Sequence, residues 1–261
     1  MTDASQRLRV AVFGAAGRMG RETVRAVRDT ADLEIVAEVD PAGHDHAHEP
    51  GEVALADVAV DFTNPDNVLD NVRFCLDHKV NLVVGTTGWT AERLDLVRGW
   101  VDEAGDDAPS VLIVPNFGIG AVLMMRFAAL AAPWFESVEI IELHHTGKHD
   151  APSGTARRTA EVIAAARRDA GLDRSGPDAT RADASLPGAR GSSVDGIHVH
   201  AIRAIGLVAH QEVLFGTQGE TLTLRHDSID RSSFMPGVLL AVRRVGELAG
   251  VTVGLEGLLG L

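Results

Sequence analysis

Short apolar runs alternate with amphipathic stretches through the first half of the chain, the pattern of βα units that build a parallel sheet. Residues 8–13, 34–39, 58–62, 82–84 and 111–114 predict strands, and 18–30, 65–78 and 91–104 predict helices. Asn64-Pro65-Asp66 sets the start of the second helix, with Asn as N-cap, Pro at the first helical position and an acid in the first turn. After Asn116 the rhythm changes. A helix at 119–131, a strand at 138–144 and a helix at 155–170 precede a polar stretch, 171–193, whose Gly and Pro content predicts a long surface loop. Segments 197–205, 207–215 and 220–226 are β-rich with no helix between them, which predicts a mixed or antiparallel sheet, and a last helix is expected at 233–249. The fold class is therefore α/β: a Rossmann-type parallel-sheet domain, 1–117 completed by 229–261, plus a smaller α+β domain, 118–228, for substrate binding and oligomerisation. A sheet face left uncovered in the smaller domain would need a partner, which predicts self-association.

Composition narrows the setting. The chain has 261 residues, enough for two coupled domains, and no apolar run reaches the roughly 18 residues of a membrane span. The polar opening Met1-Thr2-Asp3-Ala4-Ser5-Gln6-Arg7 has no targeting pattern, so a soluble, cytoplasmic protein is expected. Cys75 is the single cysteine, in an apolar stretch that suits a buried structural thiol. A formal net charge of −13 argues against nucleic acid as a partner, because such binding needs a basic stripe. Lys79 and Lys148 are the only lysines, which singles out Lys148, since Lys can exchange a proton in a tuned environment and Arg cannot.

Gly14-Ala15-Ala16-Gly17-Arg18-Met19-Gly20 follows the first strand and opens a helix. Small residues there let the backbone turn tightly and approach a pyrophosphate, whose charge meets the N–H groups of the helix start. Asp40 ends the second strand, where a carboxylate can accept hydrogen bonds from the adenosine ribose; a plain turn Asp before Pro41 is the alternative. No Arg follows Asp40 to welcome a 2′-phosphate, although Arg18 can supply that charge, so NADH with some use of NADPH is expected. Gly85, Thr86 and Thr87 after the fourth strand, and Val114, Pro115, Asn116 and Phe117 after the fifth, are expected to line the nicotinamide half.

The second constellation is Glu142-Leu143-His144-His145-Thr146-Gly147-Lys148-His149-Asp150-Ala151-Pro152-Ser153-Gly154-Thr155. A histidine can donate or accept a proton and a lysine can fix a carboxylate, while Ser153-Gly154-Thr155 predicts a helix N-terminus that favours an anion. Together they suggest a small acidic substrate. Surface or core-satisfied histidines are the bland alternative. His144, His145, His149 and Asp150 are metal-ligand types, yet their spacing matches no common zinc pattern, and no metal is expected. His44-Asp45-His46-Ala47-His48 fits a solvated loop.

With these residues in place, the chain resembles the dihydrodipicolinate reductase family over nearly its whole length. Gly14 to Gly20, Asp61-Phe62-Thr63, Gly85 to Gly88, Asn116-Phe117 and the His-His…Lys…Asp-Ala-Pro-Ser-Gly-Thr string carry the likeness. The resemblance implies an NADH- or NADPH-dependent reduction of a small cyclic dicarboxylate in diaminopimelate and lysine biosynthesis, by a homotetramer assembled through the second-domain sheet. It implies His144 as proton donor and acceptor, Lys148 as second proton donor, and His145, Gly154 and Thr155 as carboxylate contacts. It implies cofactor contacts at the glycine loop, Asp40, Gly85 to Thr87 and Val114 to Phe117. The chain departs from the family at Gly147, where members often carry another His, which implies less local charge and a looser loop. Another two-domain amino-acid dehydrogenase, or a non-catalytic NAD(P) sensor, would keep the glycines and Asp40 but not the 144–155 string.

Overall fold

The computed structural model describes residues 7–40, 50–172 and 176–261, and the His44 to His48 loop lies outside them. Contacts divide the chain into two compact units, Met1–Ile119 with Phe234–Leu261, and Gly120–Ser233.

The first unit begins as a run of alternating strands and helices: β1 (Leu8–Phe13), α1 (Arg18–Arg28), β2 (Leu33–Val39), α2 (Pro50–Val53), β3 (Val58–Asp61), α3 (Val68–Asp77), β4 (Asn81–Val84), α4 (Ala91–Ala104) and β5 (Val111–Ile113). β3 and β5 are buried at every position, as expected of strands with both faces covered. α3 is assigned three residues later than the expected start. Asn64 still caps the turn before it: its Oδ1 accepts the N–H groups of Asp66 and Asn67, and its carbonyl accepts that of Val68. The asparagine begins the turn and regular helix follows one turn on.

The second unit follows with α5 (Ile119–Ala131), β6 (Ser137–His144), α6 (Gly154–Asp169), β7 (Ser192–Val194), β8 (Ile197–Arg203), β9 (Ala209–Thr217) and β10 (Glu220–Ser228). Its sheet runs β10-β9-β6-β8-β7, with β6 and β8 parallel and the other pairs antiparallel, hence the mixed sheet that the sequence predicts. The long polar stretch is not all loop. It ends in β7, joined to β8 through Asp195 and Gly196 with φ of 52° and 82°, values that suit a type I′ hairpin turn. One sheet face packs on α5 and α6 through Val138, Ile140, Ile197, Val199, Val213 and Phe215. Arg167 of α6, 2% exposed, donates to the carbonyls of Ala132, Phe135 and Glu136 and so satisfies the chain leaving α5.

The chain then returns to the first unit with α7 (Met235–Arg244) and β11 (Val251–Val253). The last helix is shorter than the 233–249 that the sequence predicts, and a strand that the sequence does not predict follows it. β11 pairs parallel with β5 and completes a six-stranded sheet, β11-β5-β4-β3-β1-β2, parallel throughout. The buried thiol of Cys75, 1% exposed, belongs to the core of this unit, and burial pushes its pKa up, which fits a structural residue.

Candidate functional site

In the first unit the ends of the strands gather two features. Gly14 turns the chain at φ +75°, and the N–H groups of Gly14 and Ala15 both reach the Val39 carbonyl, at 2.7 and 3.2 Å. A Cβ on Gly20 would stand 2.0 Å from the Gly14 oxygen, so only glycine lets α1 start this close to the loop. The helix N-cap is Gly17, with no side-chain hydrogen bond, and the first turn of α1 holds no acid. The first N–H groups of a helix have no intrahelical partner, and among the described residues Gly17 offers them no side-chain cap, an arrangement that favours an anion. Arg18 is exposed and Met19 half-buried at that start. Asp40 bonds to the loop itself, through Oδ2 to the Ala16 N–H at 3.0 Å.

The second feature is the edge formed by the loops after β3, β4 and β5. Gly85 lies against the rings of Phe62 and Phe117, which would be 2.2 and 2.7 Å from a Cβ there. Val114 and Phe117 are 2% and 5% exposed, so their side chains support the edge from within, while Pro115 and Thr87 are exposed on it. Asn116 accepts the Gly118 N–H at 2.8 Å. Thr86 is buried and gives its hydroxyl to Asp61 at 2.6 Å. Asp61, fully buried, also accepts the Thr63 N–H and hydroxyl and the Asn71 amide, and thereby fastens two of the loops together.

In the second unit the helix-facing rows of three strands turn from apolar to polar at one end. Val138 and Ile140 give way to Glu142 and His144 on β6; Ile197 and Val199 to Arg203 on β8; Phe215 and Val213 to Gln211 on β9. The register sets Glu142 against Gln211, and His144 against Arg203. Glu142 is fully buried. Its Oε2 meets His144 Nδ1 at 2.5 Å and Arg203 Nη1 at 2.7 Å, and its Oε1 meets Arg203 Nη2 at 2.8 Å and the Ser153 N–H at 3.1 Å. Burial alone would raise the Glu142 pKa, but the hydrogen bonds and charges of His144 and Arg203 outweigh it and bring it down to about 2. Glu142 and Arg203 carry no role in the sequence reading, although a charged residue at a core-facing position of an alternating strand was a visible signal.

The 145–153 segment is tightly made. Lys148 N–H closes a turn on the His145 carbonyl at 3.1 Å, with Thr146 and Gly147 at its corners. Lys148 Nζ holds Asp150 Oδ1 at 2.8 Å, and the Asp150 carboxyl, which burial would raise, is lowered chiefly by that bond. The Ala151–Pro152 bond is cis. Ser153 caps α6, its hydroxyl accepting the Ala156 N–H at 3.2 Å, and Gly154 and Thr155 form the first helical turn. Gln211 donates to the Thr159 hydroxyl, which donates to the Thr155 carbonyl, so this turn is held from the sheet as well. Glu142 thus joins His144 to Ser153 in the second unit, with His145 and Lys148 on the turn between them and Gly154 and Thr155 in the first turn of α6. Among the described residues, no group of three or more His, Cys, Asp or Glu is placed to hold a metal ion, and no helix is long and apolar enough to cross a membrane.

A cradle made of backbone in one unit, and an imidazole beside an anion-favouring helix start in the other, divide the work as a two-domain nicotinamide-dinucleotide oxidoreductase does. Residues 8–117 match the family model described as dihydrodipicolinate reductase, N-terminus, and residues 120–259 the one described as its C-terminus. The chain belongs to the dihydrodipicolinate reductase family, as the sequence resemblance implies. It is 59% identical to the 4-hydroxy-tetrahydrodipicolinate reductase of Nocardia farcinica, over 97% of this chain and 99% of that one. Identity to the protein of the same name from Thermobifida fusca is also 59%, over 97% and 100%. A solved structure, a dipicolinate-bound dihydrodipicolinate reductase from Paenisporosarcina sp. TG-14, matches with a TM-score of 0.82 at 39% identity, covering 97% of this chain and 99% of that one.

Proposed function

We propose that this protein reduces 4-hydroxy-tetrahydrodipicolinate to tetrahydrodipicolinate with loss of water, using NADH or NADPH, in diaminopimelate and lysine biosynthesis. The observation that carries the reading is the fixed placement of His144, hydrogen-bonded to Glu142, in the same network as the capped start of α6. A small ring with two carboxylates needs such a pairing: a proton source for the ring and dipoles for its charge.

A dinucleotide held in the first unit would supply the hydride that the electron-poor ring needs. His144 delivers a proton from Nε2 to the neighbouring carbon, since its Nδ1 is committed to Glu142. Lys148 acts as second proton donor and neutralises a carboxylate. His145, Ser153 and the N–H groups of Gly154 and Thr155 receive the carboxylates and orient the ring. Gly14, Ala15, Ala16, Gly17, Arg18 and Met19 would hold the pyrophosphate, and Asp40 the adenosine ribose. Gly85, Thr86, Thr87, Val114, Pro115, Asn116 and Phe117 form the nicotinamide side, with Val114 and Phe117 acting through backbone because their side chains are buried.

Pro41 rather than Arg follows Asp40, which favours NADH, with Arg18 giving NADPH some access. A large kcat/KM advantage for NADPH would refute that preference. The sheet face opposite α5 and α6 carries half-buried Ile141, Leu143 and Leu214 and exposed Ile202, and we assign it to a homotetramer working in the cytoplasm. A monomeric mass by light scattering refutes the assembly.

The decisive experiment follows NAD(P)H oxidation with freshly made dihydrodipicolinate-synthase product. Oxidation that requires this product is expected. Turnover of an amino acid instead would make the protein another dehydrogenase, and cofactor binding without turnover would make it a sensor.

A further inference from the structure

The four hydrogen bonds on Glu142 come from three different parts of the second unit: His144 on the same strand, Arg203 on the neighbouring strand, and the Ser153 N–H at the start of α6. A fully buried carboxylate with this many donors is ionised and can only accept. The ring nitrogen facing it must therefore carry hydrogen, which leaves Nε2 of His144 as the atom free to exchange a proton.

We infer that Glu142 is the positioning residue of the site, fixing the His144 tautomer with one oxygen and the first residue of the anion-binding helix start with the other. The inference rests on the reaction proposed above. His144 and Ser153 are nine residues apart in sequence and joined through an exposed turn, yet one rigid carboxylate sets the spacing between proton donor and carboxylate site. Arg203 makes this arrangement self-contained. Its two terminal nitrogens take one Glu142 oxygen each, and they also donate to the carbonyls of Ile202 and Asp150, at 2.8 Å both. The guanidinium compensates the buried charge and pins the Lys148–Asp150 end of the loop to the same point. Arg203 is thereby spent on Glu142 and backbone rather than offered to a substrate anion.

The test has two arms. Nitrogen-15 NMR of histidine-labelled protein, with His144→Asn to assign the signal, is expected to show neutral His144 as the Nδ1–H tautomer without substrate present. Glu142→Gln should move it towards the Nε2–H form. In turnover, Glu142→Gln is expected to lower kcat by about 100-fold in the wild-type background, within the usual span for a positioned acid, and by less than about 2-fold in His144→Ala. Glu142→Asp, which keeps the charge one methylene back, should restore part of both signals. If Glu142→Gln fails to fold because Arg203 is left uncompensated, the pair Glu142→Gln/Arg203→Met carries the same comparison. An Nε2–H tautomer in the wild type, or equal kcat losses in both backgrounds, overturns the inference. Absence of turnover in the wild type strikes the proposed reaction instead, and the tautomer is still read directly.

Discussion

The starts of α1 and α6, the two helix ends to which we assign anions, are built in opposite ways. At α1 the cap is Gly17, which has no side chain to cap with, and close approach is secured by what is missing, a Cβ at Gly14 and at Gly20. At α6 the cap is Ser153, its N–H is tied to Glu142, and the surrounding groups are side chains in a hydrogen-bonded set. A pyrophosphate is a fixed, sequence-independent shape, so a backbone cradle suffices for it. A substrate that must also receive a proton needs groups whose hydrogens are assigned, and only side chains held by other side chains provide that.

The contrast can be broken at several points. His144→Ala is expected to lower kcat by about 10²- to 10⁴-fold with KM little changed, and Lys148→Ala to harm both, as steady-state kinetics with the dipicolinate-type substrate would show. Near-normal turnover in either would remove the side-chain half of the comparison. Gly20→Ala should destabilise the first unit by about 3 kcal/mol or more and weaken dinucleotide binding, because its Cβ meets a carbonyl at 2.0 Å. Gly17→Ala, whose nearest atom would be 3.0 Å away, should be much milder, and equal melting temperatures for the two variants would contradict the backbone argument.

Acid should act on the second unit through Glu142. Its folded pKa of about 2 lies below the ordinary 4.5, so the unfolded chain binds more protons between those values. The stabilisation, roughly 3 kcal/mol, is fully present above the unfolded value and is lost as pH falls through the folded one. Thermal melts from pH 6 to 2 should show a steeper decline in the wild type than in Glu142→Gln, and parallel curves would show the carboxylate to be unimportant to folding. The smallest effect is expected from Ser153→Ala, about 1 kcal/mol from the lost cap, with a rise in KM greater than the fall in kcat.

Much of this was legible in sequence because it depends on local patterning. The strands of the parallel sheet show as Val-rich runs, and α4 and α5 as amphipathic or apolar stretches with clear ends. The glycine loop and the 144–155 string also show, since each is continuous in the chain. What stayed hidden is set by distant pairing. β11 is three residues long and becomes a strand only because β5 offers it an edge. β7 is equally short, although Asp195-Gly196 beside it is a strong hairpin signal. Arg203 acquires its meaning from lying 61 residues from Glu142 and one strand away, a proximity that spacing along the chain does not reveal.

The late arrival of β11 has a bearing on how the molecule is made. A ribosome delivers residues 120–233 as one uninterrupted stretch, so the second unit can close its sheet as soon as that stretch emerges. The first unit is begun earlier and finished later. Until Val251–Val253 appear, Val111, Leu112 and Ile113 present an open, apolar strand edge to solvent or to other nascent chains. The unit whose strands come first in the sequence is therefore the later of the two to close its sheet, and its β5 edge stays open for the whole interval in which the second unit is made.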